Sequence, residues 1–163
     1  MKDNNIEKNE KVMYNDYDDF QRREEEGRKA AYDVISKLGK IKGWEPTKGK
    51  YAPVDVFFTG TTKEYVLEIK RLHSNSTDYP DRFLQKNKYD ALMEYDHRTR
   101  LFMVIFDDSV YIWDIGKTEP YWEVKHLNAT TAGGTYGQNY KDKTVTRLRY
   151  NDAVYHKKDW NIE

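Results

Sequence analysis

Two apolar segments separated by a short turn constrain the fold of this chain more than any other feature. VDVFFT (54–59) and EYVLEIKR (64–71) flank a turn-forming segment centred on Gly60. Apolar runs bounded by Gly and Thr predict two β-strands that pair as a hairpin. Because alternate residues of a strand share a face, Asp55 of the first strand can then lie beside Glu68 of the second.

Asp55, Glu68 and Lys70 place charge inside the most strand-like part of the chain. Two neighbouring carboxylates repel each other and are costly to desolvate unless a cation lies between them. A hard divalent ion with oxygen ligands meets that requirement, and Mg²⁺ is the most natural choice. Lys70 shares a face with Glu68, where it could polarise a water molecule or stabilise charge growing on a phosphate. This combination favours hydrolytic phosphodiester chemistry.

A less specific interpretation of the same three residues is a solvated polar face on a two-stranded ribbon, where Glu–Lys pairs contribute little to stability. The E-x-K triplet alone is weak evidence, because the chain contains a second one at Glu123 and Lys125, preceded by Asp114. That second triplet leads into a glycine-rich segment and not into a helix. The sequence therefore favours the first triplet as the functional one.

The rest of the pattern predicts an α/β fold. Helical spacing of apolar residues predicts helices over 17–38 and 81–95. The apolar run at 101–106 predicts a central strand, and a DDS turn joins it to a second strand at 110–115. A further strand is predicted at 144–150. The order helix, strands, helix, strands is typical of a mixed central sheet flanked by helices.

The chain of 163 residues is long enough for one domain with a substantial core, not for two. We divide it into a flexible N-terminal tail (1–16), an α/β core (17–116) and a β-rich C-terminal extension (117–163) that packs on or beside the core. The extension is rich in Tyr, Thr, Lys and Arg, and its sequence does not predict a role.

Composition limits the classes of function. Lys plus Arg and Asp plus Glu number 28 each, so a polyanionic partner would have to bind a local basic face. The absence of Cys excludes disulfides, thiolate zinc sites and cysteine nucleophiles. No segment resembles a signal peptide or a membrane span, so we expect a cytoplasmic protein with no membrane partner.

Both predicted helices direct polar residues toward the sheet. At about 100° per residue, Glu24 falls close to the apolar face of the first helix and is a candidate third acid; its alternative role is an ordinary glutamate near a helix N-terminus. Gln85 and Lys88 lie at the edge of the apolar stripe of the second helix. They could reach over the sheet face that carries Glu68 and Lys70, or simply extend along the margin of the core.

These features together resemble the PD-(D/E)XK nuclease superfamily. The resemblance is carried by the P-V-D tripeptide at 53–55, by V-L-E-I-K at 66–70 after a short turn, and by the order of elements over 17–116. It implies a restriction-endonuclease-like αβββαβ core. Gln85 and Tyr89 match the Q-x-x-x-Y spacing of the RecB-type branch, whereas a small single chain is more similar to junction resolvases and restriction-type endonucleases.

The resemblance also implies roles for individual residues. The counterparts of Asp55 and Glu68 hold the metal, joined by the main-chain carbonyl of Ile69. The counterpart of Lys70 assists the attacking water, and Glu24 matches an additional helical acid. Gln85 would orient Lys70 or the water. The implied cofactor is Mg²⁺, with Mn²⁺ able to substitute.

Basic residues near the proposed active face would bind phosphate groups of nucleic acid, with DNA the favoured substrate. The candidates for this role are Lys48, Lys50, Arg71, Lys86, Lys88, Arg147 and Arg149. Homodimerisation would suit cleavage of two strands. The alternative function is a non-catalytic module that uses the same α/β core to bind nucleic acid or a protein.

Overall fold

The computed structural model describes residues 21–48, 52–128 and 140–160 of the chain. The predicted tail at 1–16 and Lys50 lie outside the described residues. The elements within the described ranges, numbered along the chain, are α1 (residues 21–38), β1 (Gly43–Pro46), β2 (Val56–Thr59), β3 (Glu64–Arg71), β4 (Arg82–Gln85), α2 (Lys86–Met93), β5 (Thr99–Ile105), β6 (Ser109–Asp114), β7 (Trp122–Asn128), β8 (Tyr140–Leu148) and β9 (Tyr155–Lys158).

Six of the described strands form a mixed central sheet in the order β1-β2-β3-β5-β6-β9. All neighbours are antiparallel except β3 and β5, which run parallel because α2 lies in the crossover between them. The predicted β2–β3 hairpin is confirmed, with Val56 opposite Leu67. The predicted DDS turn is also confirmed, since the Phe106 N–H donates to the Ser109 carbonyl at 2.8 Å and β5 pairs with β6.

Apolar clusters cover both faces of the central sheet. Alternation along β3 sends Leu67 to the face covered by α1 and Val66 to the face covered by α2, and both are fully buried. The α1 face includes Ala31, Val34, Ile35, Val56, Phe58, Leu67, Met103, Ile105 and Ile112. The α2 face includes Val54, Val66, Leu84, Leu92, Phe102, Val104, Phe106, Trp113 and Leu148. The polar side chains of β3 therefore face a covered side of the sheet.

A second sheet, with β8 between β4 and β7, lies outside the predicted fold. The prediction of one helix over 81–95 is wrong in its first part, because Arg82–Gln85 is a strand paired with β8. In a helix Leu84 would lie on the apolar stripe, whereas the structure packs it in the cluster on the α2 face from a strand. Pairing with a distant strand decided the conformation of this short segment, which local periodicity could not anticipate.

The predicted extension is shared between the two sheets. Strands β7 and β8 belong to the second sheet, whereas β9 pairs with β6 at the edge of the central sheet. The strand predicted at 144–150 corresponds to β8, which begins earlier and ends at Leu148. Among the described residues, no helix is both long and apolar enough to cross a membrane.

Candidate active site

The backbone of β3 fixes Asp55 immediately before β2. Regular pairing of β2 with β3 ends at Val56, and the Asp55 N–H still donates to the Leu67 carbonyl at 3.0 Å. Beyond that point the Ile69 N–H, which has no strand partner on this side, donates to Asp55 Oδ2 at 2.7 Å. The Asp55 carboxylate thus accepts the β3 main-chain hydrogen bond that a carbonyl of β2 would accept if the hairpin continued. Its position is determined by the main chain of the same strand that carries Glu68.

Glu68 is a buried carboxylate, with only 7% of the residue exposed. Its Oε1 lies 3.2 Å from Lys88 Nζ of α2, and its Oε2 is buried without a hydrogen-bond partner. The solvated polar ribbon considered from the sequence is therefore wrong for Glu68. A buried carboxylate oxygen that faces a second carboxylate is costly unless the two groups share a proton or a cation lies between them.

The electrostatics of Asp55 and Glu68 show that their carboxyl groups are neighbours. Burial and, after it, the charge of Asp55 raise the pKa of Glu68 to about 8, although Lys88 opposes both effects. Burial also raises the pKa of Asp55, opposed chiefly by the hydrogen bond from the Ile69 N–H. When one of the two groups is protonated it can donate to the other. A cation between them would remove the need for that proton.

Glu24 extends this acidic group from the side of α1. Burial raises its pKa, and the nearby charge of Asp55 raises it further. Arg28, one helical turn later, lies 3.3 Å from Glu24 Oε2 and lowers the pKa. The inward direction predicted for Glu24 is the observed one. Its distance from Asp55 is short enough for electrostatic coupling, although its carboxylate is bonded to Arg28.

Lys70 lies on the same face as Glu68, two residues along β3. Part of its side chain reaches solvent, but the protein packed around it desolvates the ammonium group and lowers its pKa. The charge of Arg82 on β4 lowers the pKa further, whereas Glu68 raises it. Lys70 forms no hydrogen bond or ion pair with any residue in the described ranges. Its ammonium group is therefore available to a ligand.

Gln85 does not reach this group of residues. It caps the N-terminus of α2 in an extended conformation and makes no hydrogen bond to Glu68 or Lys70. It lines a separate recess of about 360 Å³ between α2 and β8, together with Lys86, Asn87, Asp90, Asp142, Lys143 and Thr144. Lys88, three residues later, occupies the position over Glu68 instead. Tyr89, the partner of Gln85 in the Q-x-x-x-Y spacing, packs edge-on against Trp122.

Of the basic residues that the sequence proposed for phosphate binding, some form ion pairs within the protein and others are exposed. Arg71 is held by Asp107 at 2.8 Å and by two main-chain carbonyls. Arg147 lies 3.2 Å from Asp81, and Lys86 lies 2.6 Å from Asp90. Lys88 pairs with Glu68 as described above, whereas Lys48 and Arg149 are exposed. Structural contacts therefore account for several cations that the sequence placed on a phosphate-binding surface.

The donor atoms at Asp55 and Glu68 fit a hard divalent cation. Both side chains offer carboxylate oxygens, and Glu68 Oε2 has no other partner. In a strand, the N–H and the carbonyl of one residue point the same way, so the Ile69 carbonyl faces the side of Asp55. Among the described residues, no three His, Cys, Asp or Glu side chains converge as a metal cage. Two carboxylates, one carbonyl and water would suit Mg²⁺, which retains several waters in most protein sites.

Sequence reasoning missed two residues near this group, Arg82 and Tyr79. The Arg82 guanidinium lies 4.9 Å from the centre of the Tyr79 ring and is close enough to Lys70 to affect its pKa. The predicted helix over 81–95 concealed Arg82, because only a strand at β4 brings its side chain toward Lys70. No local sequence signal would have identified that strand.

No protein-family model, curated protein or solved structure matches this chain.

Proposed function

We propose that this protein is a Mg²⁺-dependent nuclease with a restriction-endonuclease-like core that hydrolyses phosphodiester bonds, with DNA the favoured substrate. The observation that carries the proposal is the pair of the half-buried Asp55 and the buried Glu68 beside Lys70. Glu68 has an oxygen without a partner and Lys70 has no counter-ion among the described residues. A phosphate group bridged to the carboxylates by a cation would satisfy both.

The order of the elements supports the same fold. Helix α1, the antiparallel strands β1, β2 and β3, helix α2 and the parallel strand β5 follow the αβββαβ order of such cores. Strand β4 lies between β3 and α2 and belongs to the second sheet. The candidate residues lie on β3 and immediately before β2, two neighbouring segments of the central sheet.

Each side chain has a distinct task in the proposed reaction. When bound, a divalent cation would supply Lewis-acid polarisation of the phosphodiester and a lower pKa for the attacking water. Asp55 and Glu68 would hold it, and the Ile69 amide keeps the Asp55 carboxylate aligned. The lowered pKa of Lys70 suits either proton acceptance from water or, while charged, stabilisation of the transition state. Lys88 would neutralise Glu68 until the cation binds.

The alternative of a non-catalytic phosphate-binding module is less consistent with these contacts. A protein that only binds phosphate gains nothing from two buried carboxylates on its binding face, because they repel the ligand. Those carboxylates also lower stability when the cation is absent, since burial opposes their ionisation. A catalytic cation bound by the carboxylates would offset this loss of stability.

A cleavage assay tests the proposal directly. Labelled single-stranded, duplex, flap and four-way-junction DNA, and RNA, would be incubated with the protein in Mg²⁺, Mn²⁺ or EDTA, beside Glu68→Ala. We expect cleavage with Mg²⁺ and Mn²⁺, none with EDTA, and none with Glu68→Ala. Glu123→Ala, which removes the other E-x-K glutamate, is the matched control and should cleave as the wild type does.

Two results would contradict the proposal. One is binding of nucleic acid without cleavage of any substrate by a folded wild-type protein, which would favour the binding module. The other is cleavage that persists in Glu68→Ala, which would assign the activity to another site.

A further inference from the structure

Two cations that form no ion pair within the described ranges, Lys70 and Arg82, interact with each other near the candidate active site. Lys70 of β3 and Arg82 of β4 are close enough that the charge of Arg82 lowers the pKa of Lys70. Within the described ranges neither side chain forms an ion pair or a hydrogen bond, and Arg82 Nε is buried without a partner. Like charges held together in this way are unfavourable unless an anion joins them.

The nearest carboxylate does not serve that purpose. Asp81 precedes Arg82 in the chain, but its Oδ2 lies 3.2 Å from Arg147 Nη1. Glu68, on the other side of Lys70, is bonded to Lys88 at 3.2 Å. The acids around Lys70 and Arg82 are therefore paired with other cations, and the two groups remain free to bind an anionic ligand.

The residues around Arg82 indicate the kind of ligand that could bind there, in addition to its charge. Its guanidinium lies 4.9 Å from the centre of the Tyr79 ring, and 41% of Tyr79 remains exposed. Tyr150 lies nearby and its hydroxyl donates to the Ser76 carbonyl at 3.4 Å, which ties the segment before β4 to the segment after β8. Pairing of Arg82 with Leu148 fixes the main chain. Arg82 and Tyr79 thus form an ordered platform of one cation and one partly exposed aromatic ring, of which the guanidinium covers one face.

A nucleotide has the two groups that this platform can bind. A guanidinium binds phosphate oxygens in a planar, bidentate manner, and an exposed aromatic ring stacks on a base. A base inside a duplex is already stacked on both sides, so only an unpaired base can use Tyr79 without disruption of its neighbours. The platform therefore fits a nucleotide in a single-stranded segment better than one in a continuous duplex.

We propose that Arg82 and Tyr79 form a nucleotide subsite beside Lys70, in which Arg82 binds the phosphate flanking the scissile group and Tyr79 stacks on an unpaired base. The flanking position rests on the proposed nuclease function, whereas binding of the nucleotide does not. The substrate class is nucleic acid with unpaired nucleotides next to the cleavage point, such as a single strand or a flap.

Binding measured without metal separates this subsite from catalysis. The full chain would be titrated in EDTA into a fluorescein-labelled single-stranded DNA 20-mer, and into the same strand as a blunt duplex, with anisotropy as the readout. We expect Arg82→Ala to weaken single-strand binding at least about 10-fold and to reduce the salt dependence by about one phosphate contact. We expect Tyr79→Ala to weaken single-strand binding roughly 5- to 100-fold and to leave duplex binding unchanged.

Matched variants on α1 control for charge, ring and fold. Tyr32 is 42% exposed, almost the same as Tyr79, and packs edge-on against Trp44. Lys37 is exposed and lies about 20 Å along the helix from Glu24. Tyr32→Ala and Lys37→Ala should leave single-strand affinity unchanged. Thermal unfolding of every variant identifies loss of fold, and Arg82→Lys, which keeps the charge, should retain the salt dependence.

The outcomes for the subsite and for the nuclease are distinct. Equal single-strand affinity of wild type, Arg82→Ala and Tyr79→Ala would overturn the subsite, even if Mg²⁺-dependent cleavage is observed. Absence of any single-strand binding by folded wild type would also overturn it. Conversely, binding that depends on Arg82 and Tyr79 in a protein that cleaves nothing would establish the subsite and contradict the nuclease.

Discussion

The chain contains the triplet E-x-K in two strands, with different environments. Glu68 and Lys70 lie on β3, which has β2 and β5 on its two sides and apolar clusters on both faces. Glu123 and Lys125 lie on β7, at the edge of the smaller sheet. The Glu68 side chain is 9% exposed and that of Glu123 is 28% exposed. Burial, and not the triplet, separates the two.

The side-chain contacts of the two triplets also differ. Glu123 pairs with Arg147 at 3.5 Å, and Lys125 Nζ lies 4.6 Å from the centre of the Phe83 ring. Glu68 has Asp55 as a neighbour and one oxygen without a partner, while Lys70 has no counter-ion among the described residues. In the β7 triplet, Glu123 has Arg147 as a counter-ion and Lys125 contacts an aromatic ring. The β3 triplet places a buried carboxyl next to a second carboxyl and beside a lysine that forms no ion pair in the described ranges, which is a pattern expected of a functional site.

The largest expected difference between the triplets is in catalysis. On the proposed nuclease function, Lys70→Ala should reduce Mg²⁺-dependent cleavage by about 10²- to 10⁴-fold, because it would remove the group proposed to assist the water or the transition state. Lys125→Ala should leave the rate close to that of the wild type. Single-turnover cleavage of the best substrate from the panel measures both. Equal rates for the two variants would remove the functional distinction between β3 and β7.

A smaller difference is expected in stability. Glu68→Gln should increase the free energy of unfolding at pH 7 in EDTA by about 1 to 3 kcal/mol. With a folded pKa of about 8, Glu68 of the wild type must take up a proton on folding at this pH, and the amide avoids that cost. Addition of Mg²⁺ should raise the melting temperature of the wild type and not that of Glu68→Gln. Urea unfolding and thermal melts would measure these effects. A less stable Glu68→Gln would show that the pair with Lys88 outweighs the cost of burial.

The pH dependence of the free energy of unfolding tests the raised pKa of Glu68 separately. Because the folded pKa of Glu68, about 8, is above its ordinary value of 4.5, the folded state binds a proton more tightly than the unfolded state. The contribution of Glu68 is therefore complete below about pH 4.5 and is lost as pH rises to about 8. Urea unfolding in EDTA at several pH values should show the wild type losing stability relative to Glu68→Gln across that window. A constant difference between the two would refute the raised pKa.

The smallest effect is expected at β7. Glu123→Gln removes one partly exposed partner of Arg147, which keeps its contact with Asp81 at 3.2 Å. Exposed ion pairs contribute little, so the free energy of unfolding should change by less than about 1 kcal/mol and should not depend on Mg²⁺. Chemical denaturation beside Glu68→Gln gives the comparison. A change as large as that of Glu68→Gln would mean that burial does not distinguish the two strands.

The sequence was sufficient where short-range signals determine structure. The β2–β3 hairpin follows from two apolar runs and a turn, and it predicted Asp55 near Glu68, although the structure positions Asp55 through the Ile69 N–H and not through strand alternation. The angular position of Glu24 on α1 was likewise predictable from helical periodicity. These contacts depend on residues that are near each other in the chain or on one regular face.

The sequence was insufficient where a distant strand determines structure. Pairing with β8 converts Arg82–Gln85 from predicted helix to strand, so α2 begins after Gln85. This change moves Gln85 away from Lys70 and brings Arg82 toward it. Of the two residues that the sequence directed toward this face, Gln85 and Lys88, it is Lys88 that contacts Glu68. Tertiary pairing outweighed local periodicity in each case.

The long-range tie between Tyr150 and Ser76 has a consequence for the order of folding. It joins residues 74 positions apart, whereas the Ile69–Asp55 hydrogen bond joins residues only 14 apart. Closure of a longer loop costs more entropy, and long-range pairing slows folding. We expect the carboxylate pair to assemble early in refolding and the Arg82 platform to assemble late. A refolding chain would then form the proposed divalent-cation site before it forms the proposed subsite for single-stranded nucleic acid.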